Sequence, residues 1–83
     1  MASQNSRDFD TKYSWRIEIP VGSWINGANR AFRVKSQYDA WLVENDIDGD
    51  SYYNFLYLQN EMDVIYFKLS WIYNQNYRAI KLR

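Results

Sequence analysis

Glu44, Asp46, Asp48 and Asp50 recur every second residue around Gly49. Alternating carboxylates beside a glycine are what a hard cation such as calcium requires. With Gly49 at the sixth position of a calcium loop, Glu44, Asp46 and Asp48 occupy the first, third and fifth. The twelfth is then Phe55, where a bidentate glutamate is needed, and a strand rather than a helix is expected to follow. Ordinary turn chemistry accounts for the same residues, so no metal and no cofactor is expected. Paired carboxylates can also carry acid–base catalysis. Here Asp39, Glu61 and Asp63 stand at expected helix N-termini, and neither a nucleophile–base pair nor a Gly-rich loop accompanies them. A non-enzymatic protein with no catalytic residue is therefore expected. His and Cys are absent, which excludes imidazole and thiolate chemistry and any disulfide framework.

The charges are segregated although the net charge is zero. Between Lys35 and Lys68 no Lys or Arg occurs, while Asp39, Glu44, Asp46, Asp48, Asp50, Glu61 and Asp63 do. An equal positive excess lies outside that block. Arg30, Arg33 and Lys35 flank one expected strand, and Arg78, Lys81 and Arg83 flank another. Were both strands on one side of a sheet, six cations would match the phosphates of a nucleic acid, with interleaved Tyr and Trp to stack on unpaired bases. The plainer reading is the solvated face and charge-blunted edges of amphipathic strands. Trp24, next to an expected tight turn, is the candidate exposed anchor for a partner.

These residues need a small scaffold to position them. Eighty-three residues make one domain, and four Trp, eight Tyr and four Phe supply the large side chains that a small core requires. Residues 1–10 are polar apart from Phe9 and read as a flexible N-terminal arm before a single domain over 11–83. Tyr13, Trp15, Ile17 and Ile19 alternate with polar residues and predict a strand. Asn26-Gly27 is the best turn signal in the chain and predicts a hairpin that returns through Phe32 and Val34. Ser36 with Asp39 resembles a capping box, so a short helix is expected from there to near Asn45, before an acidic turn. Tyr52 to Leu58 reads as one strand, apolar on both faces.

From Asn60 to Tyr73, Met62, Ile65, Tyr66, Leu69, Ile72 and Tyr73 keep helical spacing, while Ile65, Phe67, Leu69 and Trp71 alternate as a strand would. The cap formed by Asn60 and Asp63 favours helix. Tyr77 to Arg83 reads as a last strand. The expected fold is α+β, a roughly four-stranded, mainly antiparallel sheet with two short helices on one face, in the order ββαβαβ. Trp15, Trp41, Phe55, Phe67 and Leu69 are the candidate core.

The aromatic strand Tyr52–Leu58 followed by Asn60-Glu-Met-Asp-Val-Ile-Tyr-Phe-Lys-Leu-Ser-Trp71 resembles a pattern in small uncharacterised accessory proteins of tailed phages, Asp-Ala-x-x-Phe-Lys-Leu-x-Trp. Val64 stands here for the usual Ala, and Ile72 where Gly is common. The resemblance covers about half the chain and implies a phage accessory origin, with no activity or ligand to carry over. The expected function is a non-enzymatic binding protein that engages a host protein through a charge-segregated surface. The alternative is a single-stranded nucleic-acid-binding module using Arg30, Arg33, Lys35, Arg78, Lys81, Arg83 and the aromatics. A homodimer remains open. With neither a membrane span nor a signal core, a membrane is not an expected partner and a cytoplasmic location, in the host if phage-derived, is expected.

Overall fold

The computed structural model describes residues 6–20, 24–73 and 76–82, with side chains from residue 9 onward and, in the long helix, from residue 30 onward. The elements are α1 (Ser6–Lys12), β1 (Trp15–Glu18), α2 (Trp24–Glu44), β2 (Gly49–Tyr52), β3 (Phe55–Leu58), α3 (Glu61–Ser70) and β4 (Arg78–Lys81). The strands form one antiparallel sheet in the order β2-β3-β1-β4. The class is α+β, as the patterning indicates; the order of elements differs from ββαβαβ in three places.

The first difference is at Asn26-Gly27. α2 runs straight through this dipeptide, and the expected second strand, with Arg30, Arg33 and Lys35, is helical. Burial falls at helical spacing: Ala31, Tyr38, Trp41 and Leu42 are buried and Val34 partly so. A hairpin here would need a free edge beside β1, and both edges of β1 are taken, by β3 and β4. Local turn preference gives way to the helix that covers the sheet. Ser36 is accordingly not a cap; its hydroxyl donates to the Phe32 carbonyl one turn back, at 3.1 Å. Asp39 sits in mid-helix, where it accepts from Lys35 at 3.0 Å and from Ser51 of β2.

The second difference lies in Tyr52–Leu58, which is a hairpin rather than one strand. Tyr53 and Asn54 form its two-residue turn, with Tyr53 at φ 54°, a conformation usually left to glycine. Tertiary contacts hold it there. The Asn54 carbonyl accepts from the Tyr38 hydroxyl at 2.9 Å, and Asn54 Nδ2 donates to the Ile19 carbonyl at 3.0 Å. The acidic stretch thus supplies a strand. Gly49 begins it because nothing larger fits: a Cβ there would lie 2.6 Å from the Tyr57 carbonyl oxygen and 2.9 Å from Leu42 Cδ2. This glycine permits close approach of β2 to β3 and α2, instead of turning a calcium loop.

The third difference is at the N-terminus. Residues 1–5 of the expected arm lie outside the described residues, but Ser6–Lys12 is helical and Phe9 is buried. Phe9 stacks on Tyr57 with ring centroids 5.0 Å apart, and with Tyr13 it covers the sheet face opposite α2 and α3. The other face carries the main core, in which Ile17, Ile19, Leu56 and Leu58 meet Tyr38, Trp41 and Leu42 of α2, Val64 and Phe67 of α3, and Trp71. The two substantial helices therefore do share one face. Residues 61–70 are helix, although the Asn60 side chain makes no capping bond to the backbone, and Glu61 and Asp63 in the first turn and Lys68 in the last complement its dipole.

Candidate functional site

α3 is apolar on two opposite sides. Val64, Phe67 and, just past its end, Trp71 point into the core and are buried. Met62, Ile65, Tyr66 and Leu69 form a second stripe, with relative exposures of 71%, 42%, 43% and 81%. At ~100° per residue the two stripes lie on opposite sides of the helix. Ile72, 78% exposed, extends the outer stripe beyond the helix end. The residues whose spacing predicts the helix are thus not those it buries, and Leu69, expected in the core, is outside it. Of the other expected core residues, Trp41 and Phe67 are buried, while Trp15 and Phe55 are partly so.

One flank of the outer stripe is fastened to α2. The Tyr66 hydroxyl donates to Asn45 Oδ1 at 2.7 Å, and Trp41 Nε1 donates to Ser70 Oγ at 2.8 Å. Asn45 Nδ2 in turn donates to the Trp41 carbonyl at 2.8 Å, which fixes the acceptor for Tyr66. The other flank carries Glu61 and Lys68, both exposed and, among the described residues, in no ion pair. Chemically the stripe is a rigid apolar ridge with one open, charged rim. Its sequence signal was present, since Val64, Phe67 and Trp71 complete a second helical stripe within the same segment.

The basic residues singled out in the sequence do not gather on one sheet face. Arg30 and Arg33 project from α2 and line an open groove of about 310 Å³ with Ile19, Pro20, Val34, Gln37 and Tyr73. Lys35 is paired with Asp39. Arg78 bonds Glu18 at 3.1 Å across β1 and β4, near the same end of the sheet as the groove. Lys81 is exposed at the opposite end, across from Trp15. Arg83 and the side chain of Trp24 lie outside the described residues.

The acidic residues are dispersed too. Asp46 occupies the left-handed position after α2, at φ 53°, and Asp50 accepts from the Tyr13 hydroxyl at 3.3 Å on the α1 side of the sheet. Among the described residues no group of three or more potential ligands is placed to hold a metal ion, and no helix is long and apolar enough to cross a membrane. Charge segregation instead becomes a gradient along α2, basic at Arg30, Arg33 and Lys35 and acidic at Glu44 and beyond, over a helix about 30 Å long.

On the α1 side Arg16 bonds Asp10 at 3.1 Å and Glu18 at 2.9 Å and lies over the Phe55 ring. Burial opposes its charge, but the neighbouring Tyr57 hydroxyl, Asp10 and Glu18 outweigh this and raise its pKa. This cluster ties α1 to the sheet. Comparison of the chain with protein-family models, with curated proteins and with solved structures finds no match.

Proposed function

We propose that this chain is a small non-enzymatic protein-binding domain whose docking surface is the outer stripe of α3, Met62, Ile65, Tyr66 and Leu69, continued by Ile72. The exposure of that stripe carries the reading. α3 is apolar on two opposite sides, and among the described residues only the side of Val64 and Phe67 is covered. Contiguous apolar surface of this kind on a small domain marks an interaction site. The setting we propose is that of a phage accessory factor in the host cytoplasm, in line with the resemblance carried by Tyr52–Leu58 and Asn60–Trp71.

The nucleic-acid reading draws less support. Two of the six cations it needs, Lys35 and Arg78, are held by carboxylates, and Lys81 stands at the other end of the sheet from the Arg30 and Arg33 groove. The test is site-specific photo-crosslinking in cells. A photoreactive residue at Leu69 should give a protein adduct, and one at the exposed Ala40 of α2 should not. Adducts at Ala40 or Arg33 with none at Leu69 would move the binding surface off α3.

A further inference from the structure

We infer that the occupant of the α3 stripe is a second copy of this chain, docked antiparallel across a two-fold axis. This rests on the docking reading above and names its partner. The observation is the placement of charge relative to the stripe. Glu61 and Lys68 lie on the same, open flank, seven residues apart, which is about 10 Å along the axis and too far for them to pair within one helix. The point midway between them falls between Val64 and Ile65. Within the helix the apolar stripe is symmetric too, with Met62 and Leu69 at equal distances either side of Ile65 and Tyr66. That middle lies one residue (about 1.5 Å) along from the charge midpoint, and Ile72 falls outside the symmetric part.

A two-fold axis through that middle sets Met62 against the partner's Leu69 and packs Ile65 and Tyr66 on their own copies. In antiparallel helix pairs like flanks face each other, so Glu61 meets the partner's Lys68, and Lys68 the partner's Glu61. Both charges are thereby used twice, as a self-complementary surface requires. A parallel two-fold would instead carry the partner's copy of this flank to the far side, leaving Glu61 and Lys68 without each other, and would align the two helix dipoles unfavourably. The opposite flank, leaning on α2 through Asn45 and Trp41, does not obstruct the approach. A stripe of five exposed side chains falls short of the roughly 800 Å² and 20–30 residues per partner of a standard interface. The dimer is accordingly weak and reversible, with micromolar dissociation.

The experiment is sedimentation equilibrium of the full chain between about 1 μM and 1 mM, where such a dimer populates both states. Leu69→Arg, at a position the monomer leaves exposed, should weaken association about a hundredfold, because a two-fold interface carries each substitution twice. Glu61→Lys and Lys68→Glu should each weaken it about tenfold, and the double variant Glu61→Lys/Lys68→Glu should restore it, since both cross-pairs re-form with sign reversed. Circular dichroism of each variant checks that α3 is intact. A chain monomeric throughout this range, or a dimer indifferent to Leu69→Arg, would overturn the inference. So would single charge variants that the swap does not rescue. If the chain is monomeric yet the Leu69 crosslink captures a different protein, the docking surface stands and the second copy is wrong. If Leu69 captures nothing, the docking reading itself has failed.

Discussion

Three buried tyrosines set how this protein responds to alkali. Tyr13 is pushed up to about 12 by burial and by the Asp50 carboxylate that accepts its hydroxyl. Tyr57 is also pushed up to about 12, by burial, with the adjacent Arg16 guanidinium pulling the other way. Tyr38 is raised further still by its burial in the core. A phenol in the unfolded chain titrates near 10. Folding therefore favours the protonated form, and the stability this contributes is whole below about pH 10 and lost as pH rises towards 12. The urea midpoint should hold level to about pH 10 and then fall steeply. Tyr57→Phe should flatten part of that fall, because the loss of its hydroxyl removes one of the titrating groups. At pH 7 the variant should stay within about 1 kcal/mol of the parent. An alkaline slope identical in parent and variant would remove Tyr57 from this account.

At the scale of the element, the end of α2 decides where the acidic segment goes. Asp46 N–H donates to the Val43 carbonyl at 3.3 Å and Ile47 N–H to the Leu42 carbonyl at 3.0 Å, the paired bonds of a Schellman stop, and Ile47 packs with Leu42 in the same core. The left-handed residue of such a stop is normally glycine, and here it is Asp46. Asp46→Gly should raise stability by about 0.5 to 1 kcal/mol, since it relieves a conformation costly for residues with a Cβ and removes a carboxylate from the negative end of the helix dipole. Denaturant titration measures this. A loss of stability would show that the carboxylate holds something at this turn.

For the whole molecule, the open question is how a chain this short covers both faces of its sheet. α2 and α3 close one face; α1 closes part of the other with Phe9 and Tyr13. Phe9→Ala should cost about 3 kcal/mol, a large share of the 5–15 kcal/mol typical of a small domain. Urea unfolding would read the change. A cost below about 1 kcal/mol would mean that α1 contributes little to the folded state. With α1 in place, the outer side of α3 still bares Met62, Ile65, Tyr66 and Leu69 in one stripe, which is why docking is proposed there instead of on the sheet.

The sequence by itself determined the class, the strand at Trp15–Glu18 and the last strand, because period-two patterns report which side of each element is apolar; over residues 60–73 both periods fit, and the structure decided for the helix from Glu61. It also contained every residue of the outer apolar stripe of α3. Only the tertiary structure decided which of the two apolar sides of α3 faces inward, since Val64 and Phe67 and the outer Met62 and Leu69 are equally periodic, and the choice depends on where Trp41, Asn45 and Phe67 meet. The hairpins were exchanged for a related reason. Asn26-Gly27, the strongest local turn signal, lies in a helix because β1 has no edge left to receive a strand there. Tyr53-Asn54, with almost no local signal, turns the chain because Tyr38 and Ile19, distant in sequence, supply the hydrogen bonds that hold a tyrosine at positive φ.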